Sequence, residues 1–315
     1  MSSALEAEIL NKYPNAVGVS IKNKRIRIYV TRKDPRIPIP SVIAGYPVEV
    51  IEVGRVKALA MLKPLYDTTE RYRPAPGGVS IGHYRITAGT FGSAVVDMGH
   101  GKLVMLSNAH VFTYYGLEGN IGDPIVQPAP YDGGTVKKDK IGELIRWSKI
   151  NFGGLPNLVD GAIAQPTDGI KREILGIGEV YGVNMEIYEG MVVRKMGRTT
   201  EFTQGKIIDI NATIRIAYPE GKFAVFKNQI LTEKMADGGD SGSLLVDASG
   251  NAVGLVFAGS EYITVHNKIE NVMNVLNIGF GEPQKTPLRT YLMYGAVGFG
   301  VVGGVLGVAS LRSHT

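Results

Sequence analysis

Residues 237–243 of this chain read DGGDSGS, a run in which Ser241 is flanked by glycines and aspartates. Glycine lets the backbone adopt conformations that regular helices and strands do not allow. Such freedom allows backbone N–H groups to converge beside an exposed nucleophile, where acyl transfer develops negative charge on oxygen. The N–H groups of Gly239 and Ser241 are the candidate donors. A turn without any chemical role fits the same letters, so this segment alone leaves both interpretations open.

The letters GDSGS at residues 239–243 resemble the GDSGG or GDSGS signature of the chymotrypsin-like serine peptidases, the trypsin superfamily. The resemblance implies an all-β fold of two six-stranded antiparallel β-barrels. It also implies that Ser241 is the nucleophile and that the amides of Gly239 and Ser241 form the oxyanion hole. The substrate would be a protein or a peptide, and neither a cofactor nor a metal ion is expected.

The catalytic base is sought among five histidines. Residues 103–111, LVMLSNAHV, resemble the strand and turn that carry this base in the family. An apolar strand that ends in a turn of small residues would present His110 at the edge of a barrel. The remaining histidines have no such context and are expected at the surface: His83, His100, His266 and His314.

A carboxylate is needed to hold the imidazole in one tautomer and to stabilise its protonated form. Residues 158–164, LVDGAIA, resemble the element that carries this aspartate, although Gly161 stands where the family usually has an apolar residue. Asp160 is therefore the predicted third member of the triad, and Asp168 and Asp139 are the alternatives. The chain order histidine, aspartate, serine differs from the orders found in subtilisins and in α/β-hydrolases.

The peptidase domain is predicted over residues 79–280. Within it, residues 79–265 alternate short apolar runs with Gly, Asp, Asn and Pro, which is typical of a β-barrel or sandwich. Residues 197–200, GRTT, resemble the turn at the start of the second barrel in many microbial and viral members, and we expect no catalytic role for Arg198. Apolar residues at helical spacing predict one helix within residues 266–278.

The same resemblance places the primary specificity pocket. In the family, the residue six positions before the nucleophile lies at the pocket floor, and a strand after the nucleophile forms one wall. These positions carry over to Met235 for the floor and to Phe257, Ala258 and Gly259 for the wall. A thioether offers no charge to bind Lys or Arg, so we expect cleavage after small or apolar residues.

Activation is expected to differ from that of the digestive members, in which a newly cut Ile-Val-Gly-Gly terminus pairs with the acidic residue before the nucleophile. No such sequence precedes Val79, so Asp240 needs another partner. No PDZ-like segment follows residue 265. The resemblance is therefore to microbial or viral members, or to HtrA-like intracellular members without a PDZ domain.

Residues 1–62 are predicted to form a small α/β module, because an amphipathic start is followed by alternating stretches at residues 17–21 and 26–30. Residues 15–60 resemble, less specifically, a module that precedes such domains in some bacterial, archaeal and plant peptidases. Residues 63–78 contain three prolines and predict an extended connector.

Residues 290–311 contain no charged side chain in 22 positions and include six glycines. As a helix, this segment would be about 33 Å long, and a bilayer core is roughly 30 Å thick. We therefore expect a C-terminal hydrophobic helix that acts as a single-pass membrane anchor; a buried hairpin or a glycine-rich tail is the alternative. Lys285 and Arg289 before the segment, against Arg312 after it, favour weakly a cytoplasmic peptidase domain.

Composition excludes several other classes of protein. The chain has no cysteine, which excludes disulfides, a thiol nucleophile and cysteine-based metal sites. Its 34 basic and 29 acidic residues are spread without a Lys/Arg block, so nucleic acid is not an expected partner. A homo-oligomer is compatible with the sequence. The sequence thus predicts a membrane-tethered serine endopeptidase. Two alternatives remain: a catalytically silent, membrane-bound adaptor of the same fold, and a peptidase that acts chiefly on its own polyprotein or on a viral or mobile-element partner.

Overall fold

The computed structural model describes residues 2–53 and 66–282, and the chain divides into two compact units between residues 65 and 66. The helix predicted at residues 290–311 lies outside the described residues. Within the described ranges, no helix has both the length and the apolar character needed to cross a bilayer.

The N-terminal unit packs one helix on a four-stranded sheet. Its elements are α1 (Ser2–Lys12), β1 (Ala16–Lys22), β2 (Arg25–Val30), β3 (Val42–Ile43) and β4 (Tyr46–Glu52). The strand order is β1-β2-β4-β3; β2 and β4 run parallel, and the other two pairs are antiparallel. Alternation along β2 buries Ile26, Ile28 and Val30 on one face. Ile9 and Tyr13 of α1 belong to the same core.

The first half of the second unit is built from short strands and two single-turn helices. They are β5 (Ala75–Gly77), β6 (Ser80–His83), β7 (Gly89–Thr90), β8 (Ser93–Asp97), β9 (Lys102–Ser107), α2 (Ala109–Phe112), β10 (Pro124–Val126), α3 (Val136–Asp139), β11 (Lys140–Trp147), β12 (Ala162–Pro166), β13 (Ile170–Ile174) and β14 (Gly178–Glu179). A 3₁₀ turn at Pro130–Asp132 precedes α3. The part of the predicted connector that is described, residues 66–78, belongs to this unit, since β5 lies parallel to β13.

The main sheet of this half curls on itself. Its order runs β8-β9-β12-β11-β10-β6-β7, and only Phe91 and Gly92 separate β7 from β8 along the chain. The two ends of the order are therefore almost one continuous strand, which makes a ring of six strand positions. The expected barrel thus differs in detail, because one of its six strands is interrupted at Phe91 and Gly92, between β7 and β8.

The second half is a closed six-stranded barrel with the order β15-β16-β17-β20-β19-β18. Its strands are β15 (Val192–Gly197), β16 (Glu201–Ala217), β17 (Phe223–Glu233), β18 (Leu244–Val246), β19 (Ala252–Gly259) and β20 (Ile263–Lys268); a 3₁₀ turn at Pro219–Gly221 joins β16 to β17. The predicted helix follows as α4 (Ile269–Leu276), which buries Ile269, Val272 and Leu276. A final strand, β21 (Ile278–Gly279), returns to pair with β8.

The two halves share one hydrophobic core, to which both β9 and β19 contribute. The loop after β17 lies directly against the first half. A Cβ on Gly242, which has φ +97°, would overlap the Ser107 hydroxyl and the Thr90 carbonyl, and a Cβ on Gly92 would overlap the Gly242 carbonyl. Glycine is required at both places, because a side chain would prevent the backbones of the two halves from approaching so closely.

Candidate active site

His110 lies in α2, immediately after the buried apolar strand β9, as the sequence indicates. Val104, Met105 and Leu106 of this strand are fully buried, which anchors the turn that follows. The His110 side chain is 20% exposed, so one edge of the ring is open to the groove described below.

Asp160 lies just before β12 and is fully buried beside His110. Its Oδ2 is 2.7 Å from His110 Nδ1, and its Oδ1 accepts a hydrogen bond of 3.1 Å from the His110 backbone N–H. The Tyr218 hydroxyl donates to the same Oδ2. Asn108 and Asn267 hold the Asp160 backbone at its carbonyl and N–H, respectively.

The environment of Asp160 keeps its carboxylate charged. Burial would raise the pKa of Asp160, but the charge and hydrogen bonds of His110, together with the Tyr218 hydroxyl, outweigh burial and lower it. The alternatives have other partners: Asp168 binds Arg73 at 2.5 Å, and Asp139 binds Arg71 at 3.2 Å.

Ser241 lies in the loop between β17 and β18, which a buried carboxylate holds together. Asp240 Oδ1 accepts from the backbone N–H groups of Thr199 at 2.8 Å and Thr200 at 3.1 Å. Its Oδ2 accepts from the Thr200 hydroxyl at 2.6 Å and the Asp237 N–H at 2.9 Å. Asp240 thus joins the serine loop to the GRTT turn.

Lys195 completes this cluster, and the sequence interpretation did not include it. The side chain is fully buried, and its Nζ lies 3.6 Å from Asp240 Oδ2. Burial lowers the pKa of Lys195, although the charge of Asp240 opposes this effect. Strand alternation carried a signal, because Lys195 is two residues from the buried Val193 and therefore faces the barrel interior. Lys195 is therefore the charged partner of Asp240 that could not be identified from the sequence.

The expected oxyanion donors are placed by the same loop. Gly239 has φ +99°, and its carbonyl accepts a hydrogen bond of 2.8 Å from the Thr90 hydroxyl. Within residues 2–53 and 66–282, neither the Gly239 N–H nor the Ser241 N–H donates to a protein acceptor. Both donors are therefore available to a ligand.

Arg198 also stabilises the surroundings of the Ser241 loop, through hydrogen bonds to Asp132 and Thr90. Its Nε donates to Asp132 Oδ2 at 3.0 Å, and its backbone N–H donates to the Thr90 hydroxyl at 3.0 Å. Thr90 in turn binds Gly239. Arg198 therefore links the GRTT turn to the first half.

Two cavities that share one wall, one lined by His110 and the other by Ser241, are together termed the groove. The cavity at His110 measures about 400 Å³ and has the β16–β17 connection as one wall. The cavity at Ser241 measures about 310 Å³. Both are lined by Ala258, Gly259 and Ser260, so the strand β19 forms their common wall.

The specificity residues are placed differently from the expectation. Ala258 and Gly259 do line the Ser241 cavity, whereas Phe257 lines only the His110 cavity. Met235 is only 3% exposed, packs in the core of the second barrel and is not among the residues that line the Ser241 cavity. Its N–H and carbonyl bind threonine hydroxyls on β20 and β16, which turn its side chain inward. Ala236 lines the cavity instead.

Two histidines expected at the surface are buried. His83 is 1% exposed and lies 3.3 Å from Asp123, while His266 is fully buried and lies 2.8 Å from the Thr232 hydroxyl. His100 is exposed, and His314 lies outside the described residues. The sequence around His266 is equally compatible with an exposed strand face. His266 becomes interior only because the barrel closes.

The burial of His266 leads us to expect that the protein loses stability in acid. Burial, with a further contribution from the charge of Lys195, lowers its pKa to about 3. An unfolded histidine titrates near pH 6.5. Above that pH the residue is neutral in both states; below it only the unfolded chain takes up the proton, which favours unfolding by about 1.4 kcal/mol per pH unit down to the folded pKa.

We expect the melting temperature of the protein to fall between pH 6.5 and pH 4, and to fall less steeply in His266→Gln. Thermal unfolding followed by circular dichroism across this range measures both slopes. An identical slope in His266→Gln would show that the buried imidazole does not cause the acid sensitivity.

Within the described residues, no group of three or more His, Cys, Asp or Glu side chains is arranged to bind a metal ion.

No protein-family model and no curated protein matches this chain. Among solved structures, it is similar to protease A of Thermobifida fusca, with 20% identity over 66% of this chain and 98% of that one, at a TM-score of 0.48. It is similar to the chymotrypsin of Cellulomonas bogoriensis, with 20% identity over 65% and 97%, at a TM-score of 0.47. It is also similar to the active form of the Rv3671c protease of M. tuberculosis, with 16% identity over 68% and 84%, at a TM-score of 0.42. The similarity to these serine-protease structures spans about two thirds of the chain and concerns the fold.

Proposed function

We propose that this chain is a serine endopeptidase in which His110, Asp160 and Ser241 form the catalytic triad. The observation that carries the proposal is the pairing of His110 Nδ1 with the buried Asp160 carboxylate at 2.7 Å, beside a cavity that shares one wall with the cavity at Ser241. A buried carboxylate on Nδ1 leaves Nε2 free to accept a proton, which is what a serine nucleophile needs.

In the proposed reaction, each of these groups has a distinct role. Ser241 Oγ attacks the carbonyl carbon of the scissile peptide bond while its proton passes to His110 Nε2. The resulting oxyanion is bound by the N–H groups of Gly239 and Ser241. His110 then gives the proton to the leaving amine as the C–N bond breaks, and an acyl-enzyme remains. Water hydrolyses this ester by the same route, with His110 again as base.

Serine labelling tests the proposal without knowledge of the natural substrate. We expect a fluorophosphonate probe to label the folded wild-type protein and not Ser241→Ala. Ser243→Ala is the matched control, because Ser243 lies in the same loop but is buried with its hydroxyl bound to the Asp240 carbonyl. Absence of labelling in the wild type would favour the catalytically silent adaptor.

The Ser241 cavity supports a preference for small or apolar residues at the cleaved position. Its lining includes the small or apolar residues Ala236, Val256, Ala258 and Gly259 and the charged residues Lys234, Asp237 and Glu261. The Lys234 ammonium is bound to Asp237 at 2.7 Å, so these two charges largely offset one another, and the proposal rests on the apolar part of the lining. Profiling with a peptide library should show this preference; a clear preference for Arg or Lys would contradict it.

The uncharged segment at residues 290–311 supports a further part of the proposal, namely that the peptidase is tethered to a membrane by its C-terminal segment, with the catalytic domain on the cytoplasmic side. Fractionation of cells that express the full chain, combined with protease protection, tests this. Recovery of the intact chain in the soluble fraction would contradict the tether without affecting the triad.

A further inference from the structure

Tyr218 lies between β16 and the 3₁₀ turn that leads to β17, far in sequence from the triad motifs. We infer that Tyr218 is a positioning residue of the active site: its hydroxyl fixes the Asp160 carboxylate in the orientation that His110 requires. The inference rests on the proposed function, since it concerns the same site. It assigns to the β16–β17 connection a role in catalysis as well as in forming the groove wall.

The hydrogen bonds of Asp160 show why a further donor is needed. The carboxylate is fully buried, and a buried carboxylate is stable only when its oxygens accept hydrogen bonds. His110 alone supplies one donor to each oxygen. Tyr218 Oη supplies the third donor, at 2.6 Å from Oδ2, the same oxygen that faces His110 Nδ1. Rotation of the carboxylate away from His110 would break this bond, so Tyr218 holds the reactive oxygen in place.

The aromatic ring of Tyr218 is itself fixed by packing. Phe152 meets it edge-on at 5.4 Å between ring centroids, and Phe226 stacks on it at 6.3 Å with 23° between planes. The His110 ring lies edge-on at 6.3 Å. The Tyr218 N–H donates to the Lys222 carbonyl at 2.8 Å, which closes the turn. The hydroxyl is therefore positioned before any substrate arrives.

The hydroxyl remains a donor throughout the working pH range. Burial, and next the charge of Asp160, raise the pKa of Tyr218 well above its ordinary value. Among the described residues, the titratable groups that contact the Asp160 carboxylate are His110 from α2 and Tyr218 from the β16–β17 connection. Asn108 and Asn267, which are neutral, contact only its backbone.

Tyr218 also lines the cavity at His110, together with Ile216 and Phe257. One residue thus forms part of the groove wall and binds the triad carboxylate. No motif marks this role in the sequence, because Tyr218 and Asp160 are 58 residues apart.

The test compares Tyr218→Phe with the wild type in the rate of labelling by diisopropyl fluorophosphate as a function of pH. We expect labelling to slow about 10- to 100-fold, which corresponds to the loss of one hydrogen bond to a charged group. We also expect the midpoint of the acid limb to rise by about half a pH unit or more, because a carboxylate with fewer donors is neutralised more easily and attracts the imidazole proton more strongly. A merely structural residue would not move this midpoint.

Tyr181→Phe is the matched control. Its hydroxyl also donates to a carboxylate, at 2.7 Å from Glu179 Oε2, but at an exposed position remote from the triad contacts. We expect this variant to retain both the wild-type rate and the wild-type midpoint. Near-ultraviolet circular dichroism of each variant verifies the fold.

If Tyr218→Phe labels at the wild-type rate with an unshifted acid limb, the inference is wrong while the proposed function stands. If the wild type itself is not labelled, the proposed function fails first. Should the variant not fold, NMR of the wild type decides: a slowly exchanging Tyr218 hydroxyl proton with a cross-peak to the His110 Nδ1 proton supports the inference, and its absence overturns it.

Discussion

Replacement of Asp160 by asparagine is expected to slow acylation of Ser241 by up to about ten-thousand-fold. The structure gives the reason: Asp160 Oδ2 accepts a hydrogen bond from His110 Nδ1, with 2.7 Å between the two atoms. An amide nitrogen at this position would donate to Nδ1, which moves the imidazole proton to Nε2. His110 could then no longer accept the proton of Ser241. The rate of labelling by a fluorophosphonate, measured in folded protein, gives the magnitude.

Asp168→Asn is the control for this prediction, because the sequence alone left Asp168 as an alternative. Asp168 binds Arg73 and is 44% exposed, so its replacement should leave the labelling rate unchanged. If Asp168→Asn lost activity and Asp160→Asn kept it, the assignment of the carboxylate would have to be reversed.

Lys195→Met is expected to destabilise the protein by about 3 kcal/mol, because removal of one partner from a buried ion pair leaves the other charge uncompensated. Met occupies most of the volume of the aliphatic part of lysine, so the loss of stability reports mainly the loss of the charge. Asp240 would lose its cationic partner at 3.6 Å, and the loop that carries Gly239 and Ser241 would lose order. Urea denaturation gives the change in the free energy of unfolding, and fluorophosphonate labelling gives the effect on the site.

Two further variants show whether the ion pair itself is responsible. Lys195→Met combined with Asp240→Asn should be less destabilised than the sum of the single variants, by about 1 kcal/mol or more, because no unpaired charge then remains. Lys222→Met removes an exposed lysine paired with Glu220 and should change stability by less than about 0.5 kcal/mol. Additive effects of Lys195→Met and Asp240→Asn would contradict the coupling.

The features that could be predicted from the sequence are those carried by local patterns. The mostly-β character and the helix α4 follow from periodicity and from the placement of glycines. The assignments of His110, Ser241 and Asp160 follow instead from the resemblance of LVMLSNAHV, GDSGS and LVDGAIA to the motifs of chymotrypsin-like serine peptidases. The structure brings Asp160 and His110 together, although they are 50 residues apart.

The features that could not be predicted depend on how the barrels close. Met235 was assigned by counting back from Ser241, but threonine hydroxyls on two other strands turn it into the core. His266 becomes buried only when β20 closes the second barrel. Tyr218 reaches Asp160 from the end of β16, a strand of 17 residues whose path no short motif reveals. Such contacts are set by tertiary packing rather than by neighbouring residues.

The central claim is that Ser241 is a nucleophile activated by His110. The most direct test is mass-spectrometric mapping of the adduct formed when folded, full-length protein reacts with diisopropyl fluorophosphate near neutral pH. We expect a single modified residue, Ser241, in the wild type, and loss of this adduct in His110→Ala. Modification of another serine, or an Ser241 adduct that forms at the same rate in His110→Ala, would contradict it.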